Sequence, residues 1–144
     1  MSAAREVVAA SALACAQLTV EVAGRVLVRD LQLAVASGAV TAILGRNGAG
    51  KTMTLHTLAG LRAPARGIVT LNGQSLASWP RRSLARKLGL LTQTTEDPFP
   101  STVLDSVLVG RHPHIDFWRW ESDADREIAR AVTAGERFLE AACA

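Results

Sequence analysis

At 144 residues, 49% apolar and 20% charged, the chain has the size and make-up of one ordinary globular domain with a real core. Its net charge of +3 comes from 14 Arg and 2 Lys against 13 acids, spread along the chain. No basic stripe forms, so nucleic acid is not expected as a partner.

No run approaches the roughly 20 apolar residues that a membrane helix needs. Cys15 and Cys143 lie near opposite ends without CxxC spacing, which reads as two unpaired small side chains in a reducing compartment.

The start, Arg5 followed by the apolar stretch 7–16, has a faint signal-peptide look, but it reads better as the lead-in to a first strand. Residues 17–22 alternate and predict a strand, with a turn at Gly24. Segments 26–28 and 31–35 predict further strands, with a turn at Ser37-Gly38. Ala39-Val40-Thr41-Ala42-Ile43-Leu44 is a short apolar, β-branched run that suits a buried parallel strand.

Residues 45–52 follow: Gly-Arg-Asn-Gly-Ala-Gly-Lys-Thr, a Gly-x-x-x-x-Gly-Lys-[Ser/Thr] phosphate-binding loop. Gly45, Gly48 and Gly50 are expected to let the backbone curl so that successive N–H groups face phosphate oxygens. Arg46, Asn47 and Ala49 complete the loop, and Met53 follows it. Lys51 brings a point charge to the outer phosphates, and the Thr52 hydroxyl suits Mg²⁺. The next helix, predicted over 50–61, adds the positive end of its dipole. Its apolar residues are Met53, Leu55, Leu58, Ala59 and Leu61, and Gly60 and Pro64 stop it.

Residues 63–67 predict a turn, 68–71 a strand, and Asn72-Gly73 a tight turn. Trp79-Pro80, with Ser78 as cap, opens a short helix to about residue 87. An apolar strand over 88–92 ends in Gln93, and a proline-punctuated loop covers 94–100. Thr102 and Asp105 form a capping-box pattern for a helix through Val109. An irregular stretch with Trp118 and Trp120 precedes a last helix capped at Ser122-Asp123, with Ile128, Ala131, Val132, Phe138 and Leu139 on its apolar face. His112 and His114 flank Pro113; without a third ligand nearby they read as surface polar groups rather than a metal site. There is no repeat or interdomain linker.

These residues together resemble the ATP-binding subunit of an ABC transporter. The loop interior Arg46-Asn47-Gly48-Ala49 resembles the family's GxNGxGK[ST] form. Gly67-Ile68-Val69-Thr70-Leu71-Asn72-Gly73 resembles its stretch after the loop helix. Leu90-Leu91-Thr92-Gln93 places a Gln at a strand end about 40 residues past Lys51, like the family's Q-loop. More finely, Phe99-Pro100-Ser101-Thr102-Val103 and Val109-Gly110-Arg111-His112-Pro113-His114 are similar to ATPases of importers for cobalamin, iron-siderophores or haem.

The resemblance implies an α/β fold, a P-loop NTPase core of ABC-ATPase type, incomplete, with an N-terminal antiparallel β segment. Residues 1–144 would form part of a nucleotide-binding domain. Its parts would be a β lead-in over 16–38, the phosphate-loop strand and helix over 39–61, the Q-loop region over 88–111, and the start of a helical subdomain over 112–144. It implies ATP and Mg²⁺ as cofactors. Gly45, Arg46, Asn47, Gly48, Ala49, Gly50, Lys51, Thr52 and Met53 would bind nucleotide. Thr52 and Gln93 would hold the metal, with Gln93 sensing the γ-phosphate or attacking water. Region 94–120 would receive a transmembrane permease subunit, and two ATPase subunits would pair. The location implied is cytoplasmic, on the inner face of the membrane.

The chain departs from the family in four places. Val22 stands where the family places an aromatic ring against adenine. No apolar strand ends in the family's Asp-Glu pair (Walker B). The Leu-Ser-Gly-Gly-Gln signature is missing; Thr133-Ala134-Gly135-Glu136-Arg137 echoes it by chance and comes too soon after Gln93. No later switch His follows. The expectation is a truncated copy that binds ATP and hydrolyses it poorly alone. The alternatives are a non-functional or split-gene fragment, or a small P-loop kinase or GTPase.

Overall fold

The computed structural model describes residues 12–92, 101–116 and 118–134, and the chain divides into two units, Met1–Pro80 and Arg81–Ala144.

The first unit is built on a four-stranded antiparallel sheet of order β2-β1-β3-β4. Strands β1 (Leu13–Val22) and β2 (Arg25–Val35) form a hairpin. Its two-residue turn, Ala23-Gly24, has φ of 49° and 78°. Positive φ at both positions matches the strand twist. β2 is continuous where two short strands were predicted. Leu18 pairs with Leu31 and Val20 with Val28, so β2 carries one extra residue there. Asp30 absorbs it at φ 51°. The polar Arg29-Asp30 pair thus marks a bulge, not a chain break.

β3 (Arg66–Leu71) pairs with the other edge of β1, and Asn72-Gly73, at φ 50° and 76°, turns it into the short β4 (Gln74–Ser75). Gly67 has φ 83°, and a Cβ there would lie 2.3 Å from the Gln17 carbonyl oxygen. β1 and β3 approach too closely at this point for any side chain.

Helix α1 (Lys51–Leu58) packs on the sheet around Cys15, Leu18, Val20, Leu58 and Val69, with Met53, Val28, Leu31 and Ile43 against them. Its burial does not follow its apolar residues alone. Thr54 and Thr57 are buried, while Leu55 and Leu61 are exposed. The threonine hydroxyls donate to the Gly50 and Met53 carbonyls at 2.9 and 2.8 Å, so burial leaves them satisfied. The helix ends in a Schellman motif: Gly60 (φ 74°) N–H donates to Thr57 O at 3.1 Å and Leu61 N–H to His56 O at 2.9 Å.

The buried strand predicted over 39–44 is not formed. Ile43 packs on the core, but Val40 and Leu44 are 99% and 89% exposed. An apolar run becomes a strand only beside a ladder partner, and no described segment pairs with it.

The second unit is helical in its described residues. A 3₁₀ turn over Leu76–Ser78 closes the first unit, and α2 (Arg81–Ala85) opens the second, so the helix expected at Trp79-Pro80 starts one residue past the proline. The strand expected over 88–92 is also absent, and Leu91 is exposed. α3 (Val103–Val109) and α4 (Asp123–Thr133) each begin with a complete capping box, Thr102 with Asp105 and Ser122 with Asp125. The caps hold both carboxyls below the usual carboxylate range, chiefly through hydrogen bonds from Thr102 and Ser122. Leu108 and Ala129 are the buried contacts of the two helices, and Ile128, Ala131 and Val132 are half-buried. Phe138 and Leu139 lie outside the described residues.

Among the described residues no helix is long and apolar enough to cross a membrane.

Candidate functional site

The glycine loop leads directly into α1. Gly48 and Gly50 adopt the left-handed region at φ 80° and 91°, whereas Gly45 does not. A Cβ on Gly45 would make only ordinary contacts, 3.6 Å from Ala49 Cβ and 3.9 Å from Lys51 Cδ. The curl expected of three glycines therefore rests on two. Ala49 N–H donates to Arg46 O at 3.2 Å and closes the turn.

Gly50 is the N-cap of α1, with no side-chain cap and no acid in the first turn. Thr54 N–H makes the first intrahelical bond, to Gly50 O at 2.8 Å, so the N–H groups of residues 51–53 lie ahead of it. An uncapped helix start is an anion-binding surface, because these donors and the dipole both favour negative charge.

Lys51 bends back over the loop. Its ammonium donates to Gly45 O at 2.7 Å and Arg46 O at 2.9 Å. An ammonium has three donors, so two are held by the loop itself. Arg46, Asn47, Gly48, Ala49 and Thr52 are exposed. Met53 sends its side chain into the core, which leaves only its N–H for a ligand. The loop residues therefore come together as a cradle, while Gln93 lies outside the described residues.

The donor set fits a triphosphate with a divalent ion: backbone N–H groups, one ammonium and an exposed hydroxyl at Thr52. Motif spacing could not indicate the support behind this loop. A Cβ on Gly50 would lie 2.9 Å from Leu27 Cβ and 3.4 Å from Val28 Cγ2, so β2 forms the wall behind the helix start.

In the second unit, Arg82 and Arg86 each donate through Nε to Pro113 O, at 2.9 and 2.6 Å, and Arg82 Nη2 donates to Ile115 O. Arg111 Nε lies 3.0 Å from Asp125 Oδ1, with side chains only 19% and 14% exposed, and ties the end of α3 to the cap of α4. His112 Nε2 lies 3.5 Å from Glu121 Oε1. His114 is held below its ordinary range by burial, then by Arg111 and Arg86. No group of three potential metal ligands occurs among the described residues. Trp118 and Trp120 are exposed and help line a cavity of about 540 Å³ with Arg82, His112, Arg119 and Glu121. Phe99, expected beside them, lies outside the described residues.

Comparison with known proteins follows the same lines. The ABC transporter family model matches residues 28–140. The hemin import ATP-binding protein HmuV of Gloeobacter violaceus is 41% identical over 122 residues, covering 85% of this chain and 44% of that protein. The ferric enterobactin transport ATP-binding protein FepC of Escherichia coli is 35% identical over 119 residues, covering 82% and 44%. Among solved structures, the ATP binding subunit of an ABC transporter superposes with a TM-score of 0.65 at 25% identity, over 86% of this chain and 48% of that one. The chain thus spans less than half the length of the curated relatives it matches. With a family match over most of its length and this loop within the matched stretch, the chain belongs to the ABC transporter family.

Proposed function

We propose that the chain is the phosphate-gripping part of an ATP-binding subunit of an ABC importer. The Lys51 ammonium, bonded to Gly45 and Arg46 carbonyls at a helix start capped only by Gly50, carries this reading. Residues 45–53 bind the triphosphate: the loop N–H groups meet its oxygens, and the remaining Lys51 donor neutralises the outer charge. Thr52 and Gln93 hold Mg²⁺, which supplies charge neutralisation when bound.

Residues 1–144 correspond to part of a nucleotide-binding domain, with the lead-in over 16–38, the loop and helix over 39–61, the Gln93 region over 88–111 and a helical part over 112–144. The segment 94–120, with exposed Trp118 and Trp120, receives a permease at the cytoplasmic face, and a second ATPase subunit completes the site. Relatives named for hemin and ferric enterobactin support a metal chelate as cargo.

Hydrolysis needs a positioned base as well as the cradle. The 144 residues contain neither an apolar strand ending in Asp-Glu nor a Leu-Ser-Gly-Gly-Gln segment. A polypeptide of these residues therefore binds Mg-ATP with negligible turnover. Phosphate release at about 1 s⁻¹, abolished in Lys51→Ala, would overturn the second half of this reading. Unchanged ATP affinity in a folded Lys51→Ala protein would overturn the first.

A further inference from the structure

Away from the phosphate loop, the first unit carries a cleft of about 260 Å³ at the bulge of β2. Thr19, which is buried, lines it together with Glu21, Arg29, Asp30 and Arg66. Val26 and Ala65 supply its small apolar part. The ladder explains why these residues meet. Thr19 pairs with Arg66 of β3, and Ala65 N–H donates to Thr19 O at 2.9 Å. On the other side of β1, Leu18 pairs with Leu31 and Val20 with Val28, which sets Arg29 and Asp30 opposite Thr19. Consecutive residues of a regular strand face opposite sides. The left-handed Asp30, at φ 51°, breaks that alternation, and both bulge residues line the same cleft.

The cleft is separate from the cradle. It shares no residue with the loop over 45–53 or with the core cluster around Leu18 and Val20. Thr19 and Glu21 alternate with those two core residues, so the cleft opens on the face of β1 turned away from α1.

Its charges are balanced and unpaired. Two guanidinium groups and two carboxylates line it, and none of the four forms an ion pair among the described residues. A simple anion would meet both carboxylates, and a simple cation both guanidinium groups. A ligand carrying one charge of each sign suits both sets. Guanidinium groups take a carboxylate through paired N–H donors, and carboxylates accept from an ammonium. The volume falls just below the roughly 300–1,000 Å³ of drug-sized sites, which restricts the ligand to a small molecule.

We propose that this cleft binds a free α-amino acid with a small aliphatic side chain. Arg29 and Arg66 hold its carboxylate, Glu21 and Asp30 its ammonium, and its side chain lies against Val26 and Ala65. The site stands independently of the nucleotide reading, because the two share no residue.

The test is equilibrium dialysis of the 144-residue chain with radiolabelled L-valine. Saturable binding with a Kd at or below about 1 mM is expected. Isovalerate, which lacks the ammonium, and isobutylamine, which lacks the carboxylate, should each compete at least about tenfold more weakly. Arg66→Ala, Arg29→Gln and Glu21→Gln, each shown folded by circular dichroism, should each weaken binding by about tenfold or more. Saturating Mg-ATP and Lys51→Ala should leave it unchanged. Absence of saturable valine binding up to about 10 mM, or unchanged binding in the folded Arg66→Ala and Arg29→Gln variants, would overturn the proposal. Isovalerate competing as well as valine would also overturn it, because it would show a plain anion site. Displacement of valine by Mg-ATP would overturn it by placing valine at the loop, and would leave the nucleotide reading intact.

Discussion

The Cβ position of Gly50 lies 2.9 Å from Leu27 Cβ, so the last glycine of the phosphate loop is pressed against the second strand of the N-terminal hairpin. Gly48, two residues earlier, has a similar φ of 80° but nothing within 4 Å of its Cβ position. The two glycines share one conformational constraint and differ in a second, which makes them separable. Gly48→Ala carries only the left-handed penalty, about 1 kcal/mol. Gly50→Ala carries that and a backed-up contact, about 2–4 kcal/mol in all. Urea denaturation of both variants checks this; equal costs would mean that the strand does not support the loop. In a Leu27→Gly background, which lacks the Cβ that the new methyl meets, Gly50→Ala should cost less.

Gly67 presents a harsher case. Its neighbour is the backbone of Gln17, which cannot rotate away as a side chain can. Gly67→Ala should cost roughly 3 kcal/mol or more, against about 1 kcal/mol for Gly24→Ala, whose Cβ position is open at φ 78°. Thermal unfolding of the pair distinguishes them. A mild Gly67→Ala would imply that β1 and β3 do not approach as closely as described.

Acid should weaken the chain in two stages. His114 is held below its ordinary 6.5 by burial first and by neighbouring arginines second. Below about pH 6.5 the unfolded chain takes this proton more readily than the folded one, so stability falls as pH falls through that range. Asp125, and Asp105 likewise, are held below their ordinary 3.8 by their capping hydrogen bonds. Their contribution is fully present above 3.8 and is lost as pH drops through the folded value. Urea midpoints from pH 8 to 3 should show both losses. His114→Gln should flatten the upper stage alone. Ser122→Ala should cost about 1 kcal/mol at pH 7 and less in strong acid.

The Pro113 carbonyl accepts from two guanidinium groups, so either arginine alone still satisfies it. Arg86→Ala should therefore cost under about 0.5 kcal/mol, and the Arg82→Ala, Arg86→Ala double variant clearly more than the sum of the singles. A double-mutant cycle measures the coupling. Strict additivity would show that the arginines act independently.

Turn and cap chemistry was legible in the sequence because it is local. Gly24 and Asn72-Gly73 turn the chain where expected, and Thr102 with Asp105 forms the anticipated box. The phosphate loop was legible because its motif encodes both backbone and charge. What failed was non-local. Residues 39–44 and 88–92 have strand composition, but composition does not say whether a neighbouring strand is present, and none pairs with them among the described residues. The burial of Thr54 and Thr57 in α1 had no signal in the sequence because both count as polar, although each hydroxyl is satisfied within the helix. The contact of Gly50 with Leu27 joins positions 23 residues apart and has no sequence signal. The match of Gln93 to the family's Q-loop rests on sequence alone, since it lies outside the described residues.

The Schellman ending of α1 bears on the opposite end of the same helix. The carbonyls of Leu55, His56 and Thr57 are all accepting, from Ala59, Leu61 and Gly60. With those acceptors engaged and the leading donors uncapped, the helix is chemically one-sided: its C-terminal turn has little left to offer a cation, while its N-terminal turn calls for acceptors. An anion that docks at residues 50–53 meets that demand without competing with any bond that holds the helix together. Ligand binding should therefore tighten α1 from its loop end, and amide exchange at residues 51–54 should slow more than at residues 57–61.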